Sequence, residues 1–145
     1  MIQCYRLSGE GAENLAVGDT ITVAGIIKNY KGTIEFDAGC KLVPNDSYQS
    51  VKAALSGYRL QEGEQQEVAK TITGTIVAIP TAYSADYKNI TVNMVVAGLE
   101  DYVIQCYRLS GEGAENLAEG DTITVTGTLK NYKGTIEFDA GCTLG

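Results

Sequence analysis

The sequence contains no histidine and no tryptophan, and only two of its 145 residues are proline. Without histidine there is no imidazole to act as a general base, to complete a Ser-His-Asp or Cys-His arrangement, or to ligate zinc. Apolar runs are short, and none approaches 18 residues, so no segment has the length of a membrane-spanning helix. The opening Met1-Ile-Gln-Cys-Tyr-Arg lacks the basic-then-apolar pattern of an export signal. Cations are outnumbered: 11 Lys and Arg against 18 Asp and Glu give a net charge of −7. A chain of that sign repels phosphate backbones, which disfavours tight sequence-independent binding to nucleic acid.

The rest of the composition is that of a folded protein. It is 44% hydrophobic and 20% charged, with 17 glycines that suggest many turns. The length suits one ordinary domain, or one domain plus a fragment.

The chain repeats itself. Residues 2–42 recur as residues 104–144, and 36 of 41 aligned positions are identical without a gap. The differences are Val17/Glu119, Ala24/Thr126, Ile26/Thr128, Ile27/Leu129 and Lys41/Thr143. Such identity points to a recent duplication, and an offset of 102 residues fits a small domain better than a solenoid unit. If one period is 43–144, residues 1–42 are the back part of a preceding period, as in a chain cut from a longer tandem array. The division expected is a partial repeat over 1–43, a helix and acidic linker over 44–70, and a complete unit over 71–145.

The period opens on a helix. Asp46 or Ser47 can cap it, and Tyr48, Val51, Leu55 and Tyr58 share one face. Gly57 weakens it and Gly63 ends it. The polar stretch 61–70 reads as a linker. Strands follow. TITGTIVAI (71–79) is β-branched, with a bend at Gly74 and a stop at Pro80. Residues 81–89 form a loop. NITVNMVVA (89–97) puts Ile90, Val92, Met94 and Val96 on one face. YVIQCYRL (102–109) follows, with Ile104 and Cys106 inward. A short helical turn over Ala114–Ala118 comes next, closed by Gly120. In 121–132, Ile123, Val125 and Leu129 face inward. A turn at Asn131–Gly134 leads into 135–144, with Ile136 and Phe138 inward and Glu137 and Asp139 outward.

Three strands, a short helix and two more strands is the connectivity of a five-stranded Greek-key barrel, whose closure removes sheet edges. Residues 71–144, with GDTITVTGTLKNYKGTIEF as strands 4 and 5 and a Gly-Asp-x-Ile-x-Val-x-Gly entrance to strand 4, resemble OB-fold (oligonucleotide/oligosaccharide-binding) modules. They are similar to the tandem OB-like repeats of large surface or secreted proteins of gut bacteria. The resemblance covers about half the chain directly and residues 2–42 through the repeat. It implies a mainly β, non-enzymatic module, with an extracellular or cell-surface setting.

It also implies a ligand face on strands 2 and 3, walled by the loops between strands 1 and 2 and between strands 4 and 5. The first loop carries Tyr83, Tyr87, Lys88 and Asn89. Strand 3 carries Tyr107 and Arg108, and the second loop carries Lys130, Asn131, Tyr132 and Lys133. Rings beside cations and amides suit a single strand of nucleic acid, where stacking contributes roughly 1–3 kcal/mol per base. The same groups suit an oligosaccharide, and the alternative is a structural spacer with no ligand.

Other chemistry is thin. Cys4/Cys40 and Cys106/Cys142 are each 36 residues apart, with no C-x-x-C spacing for zinc or redox work. In an OB barrel, Cys106 lies early in strand 3 and Cys142 late in strand 5, so free thiols are expected. Glu137 and Asp139 read as a solvated face, and Glu10, Glu13, Glu112 and Glu115 serve the short helical turns. No catalytic residues, cofactor or metal site is assigned.

Residues 1–42 supply strands 3–5 only, while one pair of strands 1 and 2 (71–97) serves two claimants. The adjacent copy has the shorter connection and should take it. The other three-strand half is left with open edges, and a homodimer through it, by pairing or strand swapping, is expected.

Overall fold

The computed structural model describes residues 1–43 and 47–145. The protein is mainly β. The first copy forms β1 (Gln3–Cys4), β2 (Thr22–Ala24), β3 (Ile27–Tyr30), β4 (Thr33–Phe36) and β5 (Lys41–Val43). Helix α1 (Tyr48–Tyr58) follows, then β6 (Lys70–Ser84) and β7 (Asn89–Val96). The second copy forms β8 (Leu99–Leu109), β9 (Thr122–Gly127), β10 (Leu129–Tyr132), β11 (Thr135–Phe138) and β12 (Thr143–Leu144).

The two copies pair internally in the same way. In the first, β1 lies parallel to β4, β4 antiparallel to β3, and β2 antiparallel to β5. In the second, β8 lies parallel to β11, β11 antiparallel to β10, and β9 antiparallel to β12. What differs is β6 and β7. They bridge β8 to β9 and join the second copy into a seven-stranded sheet, ordered β10-β11-β8-β7-β6-β9-β12. The adjacent copy thus holds the shared hairpin, as loop closure favours.

The closed five-strand barrel does not appear as a single hydrogen-bonded ring. The sheet order ends at β10 and β12. The two strands expected over 121–132 and 135–144 each break in two. The first breaks at Thr128 and the second in the turn where Cys142 N donates to Asp139 O.

The core lies among β6, β7, α1 and the second copy, and Ala24 and Val43 from the first copy join it. Ile72, Ile76, Val92, Met94, Ile104, Cys106, Leu109, Val125, Leu129 and Phe138 are buried, following the alternation of their strands. The closest approach of β6 to β7 requires glycine: a Cβ on Gly74 would lie 2.7 Å from the Val95 carbonyl oxygen.

Several local expectations differ from the structure, the last being the polar linker and the outward face of β11. Helix α1 buries Ser50, Val51, Ala54 and Gly57, whereas Tyr48 is exposed. Val51 is buried and Leu55 and Tyr58 pack against the core as expected, while Gly57 marks the closest approach, where a Cβ would stand 2.9 Å from Leu129 Cδ1. Its N-cap is Ser47, which makes no side-chain capping bond, and Asp46 lies outside the described residues. Pro80 does not end its strand. β6 runs through it to Ser84, because the β6–β7 register shifts on either side and leaves its position without a ladder bond to donate. The helical turn after β8 is a single 3₁₀ turn over Ala114–Asn116.

In the polar linker, residues 63–66 lie along the outer edge of β10. Gly63 N donates to Asn131 O, Asn131 N to Glu64 O, and Gln66 N to Leu129 O, each at 2.9 Å. The linker thus acts as an added edge strand. Glu137, expected outward, is buried at 4% exposure, as is Glu35 at the equivalent position at 5%.

Candidate functional site

The β6–β7 turn presents the first group of expected ligand residues. Lys88 adopts φ +56 and its N–H donates to the Ser84 carbonyl at 2.7 Å, closing the turn tightly. This geometry throws Tyr87 outward, 80% exposed. Register then sets Arg108 beside the turn, since Ile90 pairs with Leu109. Arg108 also has a positive φ of 51, and its N–H donates to Thr91 Oγ1 at 3.2 Å. Its guanidinium carbon stands 5.0 Å from the centre of the Tyr107 ring, within cation–π range. Tyr87, Asn89 and Arg108 line a hollow of about 210 Å³. Tyr83 is half-buried and packs against the core, so its face is not free for stacking.

The second group sits elsewhere. β11 runs parallel to β8 with Glu137 opposite Gln105, so the β10–β11 turn lies level with residues 101–102 near the start of β8, whereas Arg108 is near its end. At about 3.3 Å per residue the two groups are on the order of 20 Å apart. Ten expected residues therefore form two clusters along β8.

The second cluster is largely self-satisfied. Lys130 Nζ reaches Asp139 Oδ1 at 2.7 Å and Glu137 Oε1 at 3.6 Å. The hydrogen bond to Asp139 holds the Lys130 ammonium above its ordinary pKa and the Asp139 carboxyl below its own. Burial pushes the Glu137 carboxyl up, against the opposing pull of Lys130. Gln65 Nε2 donates to Asp139 Oδ2 at 3.1 Å and to Thr128 Oγ1 at 3.2 Å. Asn131 is a turn residue: its Oδ1 accepts from Gly134 N at 2.8 Å and its Nδ2 donates to Leu60 O at 3.0 Å. Tyr132 stays half exposed, with Lys130 Nζ and Lys133 Nζ each 5.3 Å from its ring centre. Gln65 was invisible to sequence reading, because its role depends on the linker docking on β10.

The Arg–Tyr stack and the lysine–acid cluster beside the turn tyrosine each exist twice. Arg6 lies over Tyr5 at 5.1 Å, and Lys28 and Lys31 lie over Tyr30 at 5.3 and 5.4 Å. Lys28 meets Asp37 at 2.8 Å and Glu35 at 3.7 Å. These contacts form in the first copy without β6, β7 or the linker. They are local consequences of the strand and turn sequence.

The four cysteines are free, and three of them are buried. Cys142 Sγ donates to the Tyr107 carbonyl at 3.4 Å and Cys40 Sγ to that of Tyr5 at the same distance. Burial raises the Cys106 thiol well above its ordinary value and pushes Cys142 up to about 12.

One further opening lies between the copies. A cleft of about 400 Å³ separates Ala24, Ile26 and Lys41 of the first copy from Leu55, Glu100 and Tyr102. No described helix is long and apolar enough to cross a membrane. Comparison with protein-family models finds no match, and comparison with curated proteins finds none either.

Proposed function

We propose that the protein is a non-enzymatic structural module of OB-like topology, whose working surface is an assembly face on its first copy. One observation carries this reading. Positions buried in the second copy are exposed in the first: Ile2, Ile21, Ile27 and Ile34 are solvent-exposed, while Ile104, Ile123, Leu129 and Ile136 are buried. Contiguous exposed apolar surface of this kind is the usual mark of an interaction site. The homodimer expected from the sequence is one form such assembly could take.

The OB-like topology is supported by the order β11-β8-β7-β6-β9, and by the single residue, Thr128, that parts β9 from β10 at opposite sides of that order. A division into a half-unit over 1–43, a connector over 44–70 and a complete unit over 71–145 follows from it. The non-enzymatic reading is supported by Glu137 and Asp139, the acid pair best placed for acid–base work, which are engaged by Lys130.

A ligand-binding reading stays second, and the hollow of Tyr87, Asn89 and Arg108 beside Tyr107 favours it. A neutral oligosaccharide suits this hollow better than single-stranded nucleic acid. The cations are split between the ends of β8, and Lys130 is neutralised. Titration of labelled single-stranded DNA, RNA and neutral oligosaccharides, followed by fluorescence anisotropy at low and high salt, tests both readings. The structural reading expects no binding. Saturable binding of any of these that is lost in Arg108→Ala would overturn it in favour of a ligand module.

A further inference from the structure

Resting on the assembly reading above, we infer that the open face of the first copy is a receptor for a donor segment equivalent to α1–β6–β7, residues 47–98 of this sequence, other than the chain's own hairpin. The second copy shows what covers such a face. There, β7 lies along β8 with Val92 opposite Cys106, Asn93 opposite Gln105 and Met94 opposite Ile104. β6 lies along β9 with Ile72 opposite Val125, Thr73 opposite Thr124 and Gly74 opposite Ile123. Helix α1 closes the end, with Gly57 against Leu129 and Ile136.

The receptor is already shaped for this. The strained positions of the first copy match those of the second: Arg6 φ 53 and Arg108 φ 51, Gly9 φ 131 and Gly111 φ 129, Lys31 φ 50 and Lys133 φ 52. The strand-closing bonds match as well, with Leu42 N donating to Ser8 O and Leu144 N to Ser110 O, both at 2.7 Å. The half-unit therefore holds the donor-bound geometry without the donor, so little reorganisation opposes binding. Its end strands are β1, β3, β2 and β5, and β1 and β2 are the equivalents of the strands that β7 and β6 pair with in the second copy. The repeat register assigns Cys4 opposite Val92, Gln3 opposite Asn93, Val23 opposite Ile72 and Thr22 opposite Thr73 of the donor.

The five differences between the copies leave the receptor apolar where it must be. Leu129 becomes Ile27, which keeps an apolar side chain at the position facing Gly57. Thr126 becomes Ala24, which lacks the hydroxyl that meets Thr71 Oγ1 at 2.9 Å and is already buried at 6% exposure beside the cleft to Leu55 and Tyr102, so a donor strand displaces that cover. The chain's own hairpin does not serve both faces, since a two-residue turn, 97–98, ties β7 to β8. A second copy of the chain brings one more hairpin but also one more second-copy face that needs it. The donor must therefore be an additional hairpin.

The test adds residues 47–98, prepared separately, to the full chain during dilution from urea. Complex formation is read by native mass spectrometry and by hydrogen exchange. Peptides from 17–36 and 119–138 differ in mass at the substituted positions, so the two copies report separately. A 1:1 complex is expected, with exchange in 17–36 slowed at least ~100-fold and 119–138 unchanged. Ile21→Lys, at a position exposed in the free chain, should abolish the complex and leave 119–138 untouched. As a second measurement, residues 47–103 are fused directly ahead of Ile2, and Cys4 should then become as unreactive to a thiol reagent as Cys106. Absence of a complex, together with unchanged Cys4 reactivity in the fusion, would overturn the inference. So would a symmetric dimer of the chain alone that protects 17–36. A symmetric dimer would sink the donor while leaving an assembly face in place, whereas saturable ligand binding lost in Arg108→Ala overturns the assembly reading itself.

Discussion

Ile2 and Ile104 occupy the same position in two nearly identical stretches, yet Ile2 is 57% exposed and Ile104 is fully buried at 0%. The difference lies in β6, β7 and α1, which cover one and leave the other. The molecule therefore contains its own control: one sequence with and without tertiary cover.

The first prediction uses that control. Leu129 is fully buried against the helix, so Leu129→Ala should destabilise the fold by about 2–5 kcal/mol. Ile27→Ala, at the equivalent exposed position, should change stability by less than about 1 kcal/mol. Urea unfolding of both variants measures the contrast, and equal losses would contradict it.

Helix docking gives the second. A Cβ on Gly57 would press on Leu129 Cδ1 at 2.9 Å and Ile136 Cγ2 at 3.2 Å. Gly57→Val should therefore cost about 1–3 kcal/mol through overpacking, despite valine's lower backbone entropy in the unfolded chain. Thermal unfolding reads it, and a Tm unchanged or raised would show that α1 has room to move.

The third concerns thiols. Only Cys4 is less than fully buried, and burial keeps Cys106 and Cys142 protonated and shielded. At pH 8 a bulky disulfide reagent should modify Cys4 first and the other three only with unfolding. Early labelling of Cys106, identified by peptide mass, would mean that β7 opens from β8 readily.

The fourth is a pH effect. The ammonium of Lys130 lowers the Asp139 carboxyl below its ordinary 3.8. A depressed folded-state pKa contributes stability that is present above the unfolded value and lost as pH falls through the folded one. Asp139→Asn should therefore be less stable than the parent at pH 6, and the gap should close as pH drops below 3.8 and through the lowered value. Glu137 works with opposite sign: its raised pKa means that ionisation above about 4.5 disfavours the fold, so Glu137→Gln should narrow the loss on going from pH 4 to pH 7. Urea midpoints across that range check both signs. A pH-independent gap for Asp139→Asn would remove the ion pair from the account.

Much of the fold was legible because strand alternation is a local signal. Ile90, Val92, Met94 and Val96 all point inward as their spacing requires. The repeat showed which stretches must fold alike. What could not be read depended on tertiary placement. The burial of Glu137 goes with its cross-strand pairing with Lys130, since Glu35, paired with Lys28 in the first copy, is buried to the same degree. The need for glycine at position 57 of α1 follows from how closely the helix approaches Leu129. Pro80 stays within β6 because the register slips around it. Of the candidate ligand residues, neighbours in sequence meet in space: Arg108 lies over Tyr107, and Lys130 and Lys133 lie beside Tyr132. The spread of the set along β8 follows from the register, and the loss of Lys130 to Asp139 from strand pairing.

The account turns on the claim that cover, not sequence, separates the two copies. Hydrogen exchange of the free chain tests this most directly, because matching peptides from residues 17–36 and 119–138 are followed in one sample under one condition. The account predicts protection in 119–138 that approaches global stability, and exchange in 17–36 faster by at least ~100-fold. Equal protection of the two stretches would contradict it.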